Sequence, residues 1–278
     1  MQNKKNISGV SLALNKSMFS FNQKDKIKEK LLKPEFFIKV ANTLKEREEV
    51  FRLAYQIYLE KGYLKENQSE CLIQDYDFDP ETVILIVKDN KNKIVGSLTM
   101  VFEDSSKLPA MKLFRKELND IRFTKGKIAE ISRLVIDKSY RNSKEILRLM
   151  INYLFIYTHH IKNYGSLAIQ VNPRHVNYYK ALLCFKEAGI PKACPQVQNA
   201  PAVLLSVSMS RYQSKLNYYS TASNKVKKDR SLYREFIKPD QEKLVANYLE
   251  KQVSPMTMEE RIRFGYTESG NYRAVFAS

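Results

Sequence analysis

The strongest constraint on this chain is a change of hydrophobic period. Val83-Ile84-Leu85-Ile86-Val87 and Ile94 to Val101 are short runs rich in β-branched residues, separated by Asp89-Asn90-Lys91-Asn92. Apolar runs of this length bounded by turn residues read as buried strands, and their spacing predicts a β-hairpin with a slightly long loop. On either side the period is helical. In Glu48 to Tyr58, Val50, Leu53, Ala54 and Ile57 share one face, and Gly62 follows as a stop. Beyond the hairpin, Leu108 to Phe123 reads as helix and Ile128 to Ile136 (IAEISRLVI) as strand. Ile146 to His160 is a helix with Leu147, Met150, Ile151, Leu154 and Phe155 on its apolar stripe. Leu167 to Val171 is a strand, Val176 to Phe185 a helix and Ala202 to Val207 a strand. The order helix, hairpin, helix, strand, helix, strand, helix, strand predicts a mixed α/β core.

This core occupies residues 48–211. Residues 1–47 form a basic N-terminal extension, expected to be helical in the stretch from Lys24 to Ala41, before or after Pro34. Residues 212–278 form a C-terminal linker and helical extension, with Tyr218 to Asp229 polar and basic, Asp240 to Gln252 helical and Pro255 leading into a last helix. With 47 Lys and Arg against 30 Asp and Glu, the formal charge is +17. That balance suggests an anionic partner without choosing among nucleic acid, lipid, acidic protein and acidic small molecule. Cys71, Cys184 and Cys194 lack CxxC spacing and fit free thiols in a reducing compartment. Three histidines, His159, His160 and His175, make no zinc pattern, so no metal is expected. No run approaches the ~18 apolar residues of a membrane span. The start MQNKKNISGV lacks the apolar stretch of a signal peptide. The expected location is cytoplasmic.

Three places carry candidate chemistry. Glu130 is a charge in the middle of an apolar strand, which demands pairing, exposure or a function. Burial would raise its pKa toward neutrality and suit it to general base work, and a salt-bridged or edge glutamate is the plainer alternative. Arg133, three residues on, leaves an ideal strand on the opposite face. The second place is the strand-to-helix junction after Ile136, where Tyr140, Arg141 and Lys144 would suit a phosphate-bearing ligand, or form a solvated basic turn. It has no glycine, so it is not a glycine-rich phosphate loop. The third is Asn172-Pro173-Arg174-His175 just past a strand, with Tyr179 on the next helix. Positions beyond strand ends are common active-site locations in open α/β sheets. Tyr179 is a candidate acid for a leaving thiolate or a core aromatic; His175 is a titratable candidate or a turn histidine.

Five stretches in order resemble the FeeM-like N-acyl amino acid synthase family within the GNAT-type acyltransferase superfamily. They are FRLAYQIYLEKGYL from Phe51, KIVGSLTMVFEDSSKLPAMKLFRKEL from Lys93, KIAEISRLVIDKSYR from Lys127, VNPRHVNYYKALLCF from Val171 and NAPAVLLSV from Asn199. The resemblance implies a mixed, splayed central sheet flanked by helices. It implies a long-chain acyl group taken from acyl carrier protein, as a phosphopantetheine thioester, and joined to the amine of an amino acid. It makes Glu130 and Tyr179 the catalytic candidates. Ser132, Arg133, Leu134, Asn172, Arg174 and His175 become the substrate-binding candidates, with Arg133 a candidate for the acceptor carboxylate and the backbone near Leu134 for the oxyanion. Tyr140, Arg141 and Lys144 would face the carrier. The related acyl-homoserine lactone synthases share the EISR-type segment but usually carry arginine where this chain has Ala54, which weighs against lactone production. The glycine-free Tyr140–Ile146 turn departs from coenzyme A-dependent relatives and favours a carrier-protein donor. A lactone-like signal synthase and a basic nucleic-acid-binding module on the same fold are the alternatives. No nucleic-acid motif supports the latter. Carrier protein thus becomes the preferred anionic partner, with peripheral membrane association a weaker use of the charge.

Overall fold

The computed structural model describes residues 35–105, 107–221 and 230–267. The predicted hairpin is present as β2 (Val83–Asp89) and β3 (Ile94–Phe102), both buried along their whole length. A strand buried on both faces must be apolar throughout, which is why these two runs are so legible. The helix before them is α1 (Leu44–Glu60). Thr43 caps its N-terminus by accepting a hydrogen bond from the Glu46 N–H. After the hairpin come α2 (Met111–Lys125), β4 (Ile128–Ile136), α3 (Lys144–Ile156), β5 (Ser166–Val171) and α4 (Val176–Leu183). Two short strands, β6 (Lys186–Glu187) and β7 (Lys192–Cys194), precede β8 (Ala200–Ser208).

One of the two placements expected for the N-terminal helix, the one after Pro34, is not found. Residues after Pro34 are not helical: Phe36–Val40 forms strand β1, antiparallel to β2 with Phe36 opposite Asp89. Phe36, Ile38 and Val40 alternate into the core. Aromatic and β-branched residues at period two fit a pleated edge better than a helix. The part of that expected helix preceding Pro34 lies outside the described residues.

The sheet order is β1-β2-β3-β4-β5-β8-β6, with β7 against the far end of β8. All pairs in this order are antiparallel except β4 and β5. Those two run together only from Ile128–Ser166 to Ile131–Ile169. From Ser132 onward β4 has no partner in β5, while β5 stays paired with β8 to Val171. The sheet therefore splays open at its centre. The parallel pair needs a crossover, which α3 supplies. Gly165 makes the tight entry into β5: a Cβ there would lie 1.7 Å from the Lys125 carbonyl oxygen. Gly165→Ala should cost about 2–3 kcal/mol, read as a lowered denaturation midpoint, because backbone rather than a flexible side chain must yield.

The C-terminal extension belongs to the fold. Helices α5 (Met209–Thr221) and α6 (Pro239–Glu250) cover the outer side of α3, which is buried from Ile146 to Ile156. Phe155 stacks on Tyr212 with ring centroids 4.3 Å apart. The extension also supplies partners to polar groups on α3: Arg148 donates to the Glu235 carbonyl (2.9 Å), and Asn152 Oδ1 accepts from the Ile237 N–H (2.8 Å). The chain then turns around the β1 edge, where Gln252 Oε1 accepts from the Val40 N–H (3.0 Å). The last helix among the described residues, α7 (Met258–Arg263), packs beside α1 on the opposite face of the sheet. Tyr218 to Thr221, expected in a linker, lie in the last turn of α5; residues 222–229 lie outside the described residues.

Candidate active site

The opening between β4 and β5 meets a cavity of about 180 Å³. Its walls come from α1 and the segment after it (Tyr58, Tyr63, Tyr76), from β4 (Glu130 to Arg133), from the end of β5 and the residue after it (Gln170 to Asn172) and from Cys194 to Ala202.

Glu130 is 1% exposed. Its even register sends it toward α2 rather than α3. One carboxylate oxygen accepts from the Ala110 N–H at the start of α2 (2.8 Å), the other from Gln170 Nε2 (3.0 Å). Burial outweighs both hydrogen bonds and pushes its pKa up to about 7. A carboxylate poised near neutrality beside a cavity is the arrangement a general base needs. It makes no pair with Arg133.

Arg133 departs from ideal strand geometry. Ser97 pairs with Val135 and Thr99 with Ser132, so Arg133 and Leu134 together stand opposite Leu98. This is a β-bulge, and Arg133 adopts φ +47° within it. The bulge turns the Arg133 side chain inward. Its guanidinium binds Asp77 at 2.5 and 2.6 Å, Thr99 Oγ1 at 2.9 Å and the Leu72 carbonyl at 3.0 Å. The Phe51 and Tyr76 rings lie 5.0 and 5.7 Å from its centre. Arg133 lines the wall, yet its charge is committed to Asp77, so the carboxylate-binding role expected for it does not match this geometry.

The other candidates divide. Ser132 and Asn172 line the cavity; the Ser132 hydroxyl is 2.9 Å from that of Tyr76, and Asn172 Oδ1 accepts from the Arg174 N–H (3.2 Å). Arg174 and His175 are exposed at the rim, where Arg174 donates to the Tyr63 hydroxyl (3.0 Å). Burial, then Arg174 and Lys61, lower the His175 pKa. Leu134 packs on the main core. Tyr179 lies outside the cavity wall, 8% exposed, with its ring 5.9 Å from that of Phe185. Burial holds its pKa well above the usual phenol value. At the β4–α3 turn, Tyr140 donates to Asp89 (2.9 Å), Arg141 pairs with Glu60 (2.8 Å), and Lys144 is exposed at the first position of α3. These three stand apart from Glu130.

Four contributors escape a reading of the sequence: Gln170, Asp77, Tyr58 and Tyr76. Each looks like an ordinary strand, turn or helix residue, and only tertiary placement brings it to the site. Cys194, read from the sequence as a free thiol, is 4% exposed in the cavity wall. Among the described residues, no cluster of His, Cys, Asp or Glu could hold a metal ion, and no helix is long and apolar enough to cross a membrane.

A mixed sheet splayed between parallel central strands, flanked by helices on both faces, is the GNAT-type acyltransferase fold. Solved structures share it. An N-acyl amino acid synthase, FeeM, from uncultured soil microbes has 20% identity and a TM-score of 0.55, covering 64% of this chain and 93% of that one. TofI, in a ternary complex with an inhibitor and MTA, has 15% identity and a TM-score of 0.50, covering 63% and 91%. The AHL synthase LasI has 16% identity and a TM-score of 0.50, covering 63% and 90%. None of the curated proteins matches the chain. The family model for N-acyl amino acid synthase FeeM matches residues 49–208. The chain belongs to that family and is an acyltransferase.

Proposed function

We propose that this protein moves a long-chain fatty acyl group from acyl carrier protein to the amine of an amino acid, releasing an N-acyl amino acid. The observation that carries the proposal is Glu130, buried beside the cavity with a pKa near 7. An ammonium must lose a proton before its nitrogen attacks a thioester, and Glu130, directly or through one water, accepts it. Attack puts negative charge on the thioester oxygen. The Arg133–Leu134 bulge lifts backbone out of the β3–β4 ladder, where a freed N–H near Leu134 would stabilise that charge. Collapse expels the carrier's thiolate. Tyr179, outside the wall and protonated at neutral pH, is the proposed donor to it through bridging water, and the second proton shed by the acylated nitrogen restores the phenol. Ser132 and Asn172 orient the acceptor, and Arg174 with His175 at the rim takes the carboxylate in place of Arg133. Tyr140, Arg141 and Lys144 receive the phosphopantetheine end of the carrier, an acidic protein suited to a +17 chain.

The test is incubation of the purified protein with palmitoyl-carrier protein or palmitoyl-coenzyme A and the twenty amino acids, with products read by mass spectrometry. An N-palmitoyl amino acid formed from the carrier-bound donor is expected. Product from the coenzyme A arm alone would overturn the carrier assignment. A lactone formed only when S-adenosylmethionine is supplied would favour the signal-synthase reading.

A further inference from the structure

The C-terminal segment Gln252–Tyr266 lies outside the family match and has no role in the chemistry above. It crosses from the α6 face, around the β1 edge, to the face that carries Glu130. There its contacts fall on the elements that hold the site. Arg47 on α1, 3% exposed, makes two 2.8 Å bonds to Glu260 and donates to the Ser254 carbonyl. Phe264 packs edge-on against Phe51, with centroids 5.0 Å apart. Phe51 in turn lies under the Arg133 guanidinium. Tyr266 lies against Phe78, the residue after Asp77, at 5.3 Å. Both partners of the ion pair that anchors the bulge thus rest on residues touched by this segment. Met256 and Phe264 share one cluster with Phe51, Ile84 and Ile86.

We infer that Gln252–Tyr266 is a positioning strap, in which Phe264 and the Arg47–Glu260 pair set the α1 wall and, through Phe51, the Arg133–Asp77 anchor of the bulge. The strap touches neither substrate. It holds the backbone that faces the thioester carbonyl and the helix that brings Tyr58 to the acceptor side. This role rests on the reading of the Glu130 cavity as the catalytic centre. A mere stabilising patch would raise the melting point without tuning the reaction. A positioning strap changes turnover in folded protein.

The discriminating comparison is between two truncations in the same extension. Phe264→Ala loosens the strap. Leu249→Ala, on α6, removes an equally buried side chain from the opposite face of the sheet. At a temperature where both variants are folded by circular dichroism, Phe264→Ala should lower kcat at least tenfold with the donor KM unchanged, and Phe264→Leu should recover most of it. Leu249→Ala should lower the melting temperature and leave kcat within twofold. Hydrogen exchange supplies a readout independent of the reaction: amides of 130–135 and 72–78 should exchange at least fivefold faster in Phe264→Ala and not in Leu249→Ala. An unchanged kcat in folded Phe264→Ala would overturn the strap, as would equal kcat losses in both variants. If the wild-type protein transfers no acyl group, the proposed function fails and the exchange comparison decides alone. Acceleration confined to Phe264→Ala sustains the strap, and its absence removes it.

Discussion

Glu130→Gln should abolish acyl transfer while making the protein more stable at alkaline pH. The loss follows from removing the only carboxylate on the cavity wall among the described residues. Turnover should fall by a factor of about 10²–10⁴, the scale of a lost general base. The gain follows from linkage. The folded-state pKa of Glu130 is about 7 against an ordinary value of 4.5, so the folded protein holds this proton more tightly than the unfolded chain. Its contribution to stability is fully present below the unfolded value and is lost as pH rises through about 7. A raised pKa of this size corresponds to about 3 kcal/mol. Glutamine stays neutral and escapes the penalty. Its carbonyl accepts from the Ala110 N–H, while its amide meets Gln170, whose own unpartnered oxygen becomes available by a flip. Urea titrations at pH 4 and pH 8.5 check this: the variant should match the wild type at pH 4 and exceed it at pH 8.5. In the wild type, kcat/KM should rise with pH through about 7. A flat profile through that range, with chemistry limiting, would sink the assignment of Glu130 as base.

Asp77→Ala should be the most damaging single change near the site. It leaves the Arg133 guanidinium 4% exposed with its carboxylate gone, and stranding one member of a buried pair typically costs about 3–5 kcal/mol. Replacing both members with apolar residues of similar volume, Asp77→Leu with Arg133→Met, should recover much of that loss, since no buried charge remains. Catalysis should not recover with it. Arg133 sits at φ +47° in the bulge, and the pair to Asp77 opposes the tendency of a side-chain-bearing residue to leave the left-handed region. Stability and turnover measured on the same three proteins separate the two effects. If the double variant regained full turnover, the bulge would not depend on the ion pair.

The parts of this fold legible in the sequence are those whose signal is local. The β2–β3 hairpin, β4, α3, β5 and β8 each carry their own period, and each stands where that period places it. β1 escapes because five residues flanked by charge hold too little pattern to outweigh a nearby helical one. Glu130 stands out because a charge inside an apolar strand is an anomaly at any range. Its partners do not: Gln170 is forty residues away, and the peptide that donates from Ala110 carries no side-chain signature. Arg133 misleads because ideal strand geometry puts it on the wrong face. Nothing in ISRLV announces a positive φ, and the carboxylate that captures the guanidinium lies fifty-six residues earlier. The family resemblance reaches the site and stops at its edge, since the strap lies beyond residue 208.

Arg47 and Glu260 are separated by 213 positions, and that separation has a consequence for how the protein is born. Contacts so distant in sequence close late, because the entropy of a long loop must be met before they form. During synthesis, the sheet through β8 can assemble while α7 is still inside the ribosome. The α1 wall then waits, with Arg47 uncompensated, until residue 260 emerges. A nascent chain therefore forms its sheet before the α1 wall is braced, and the strap closes only after residue 260 has emerged.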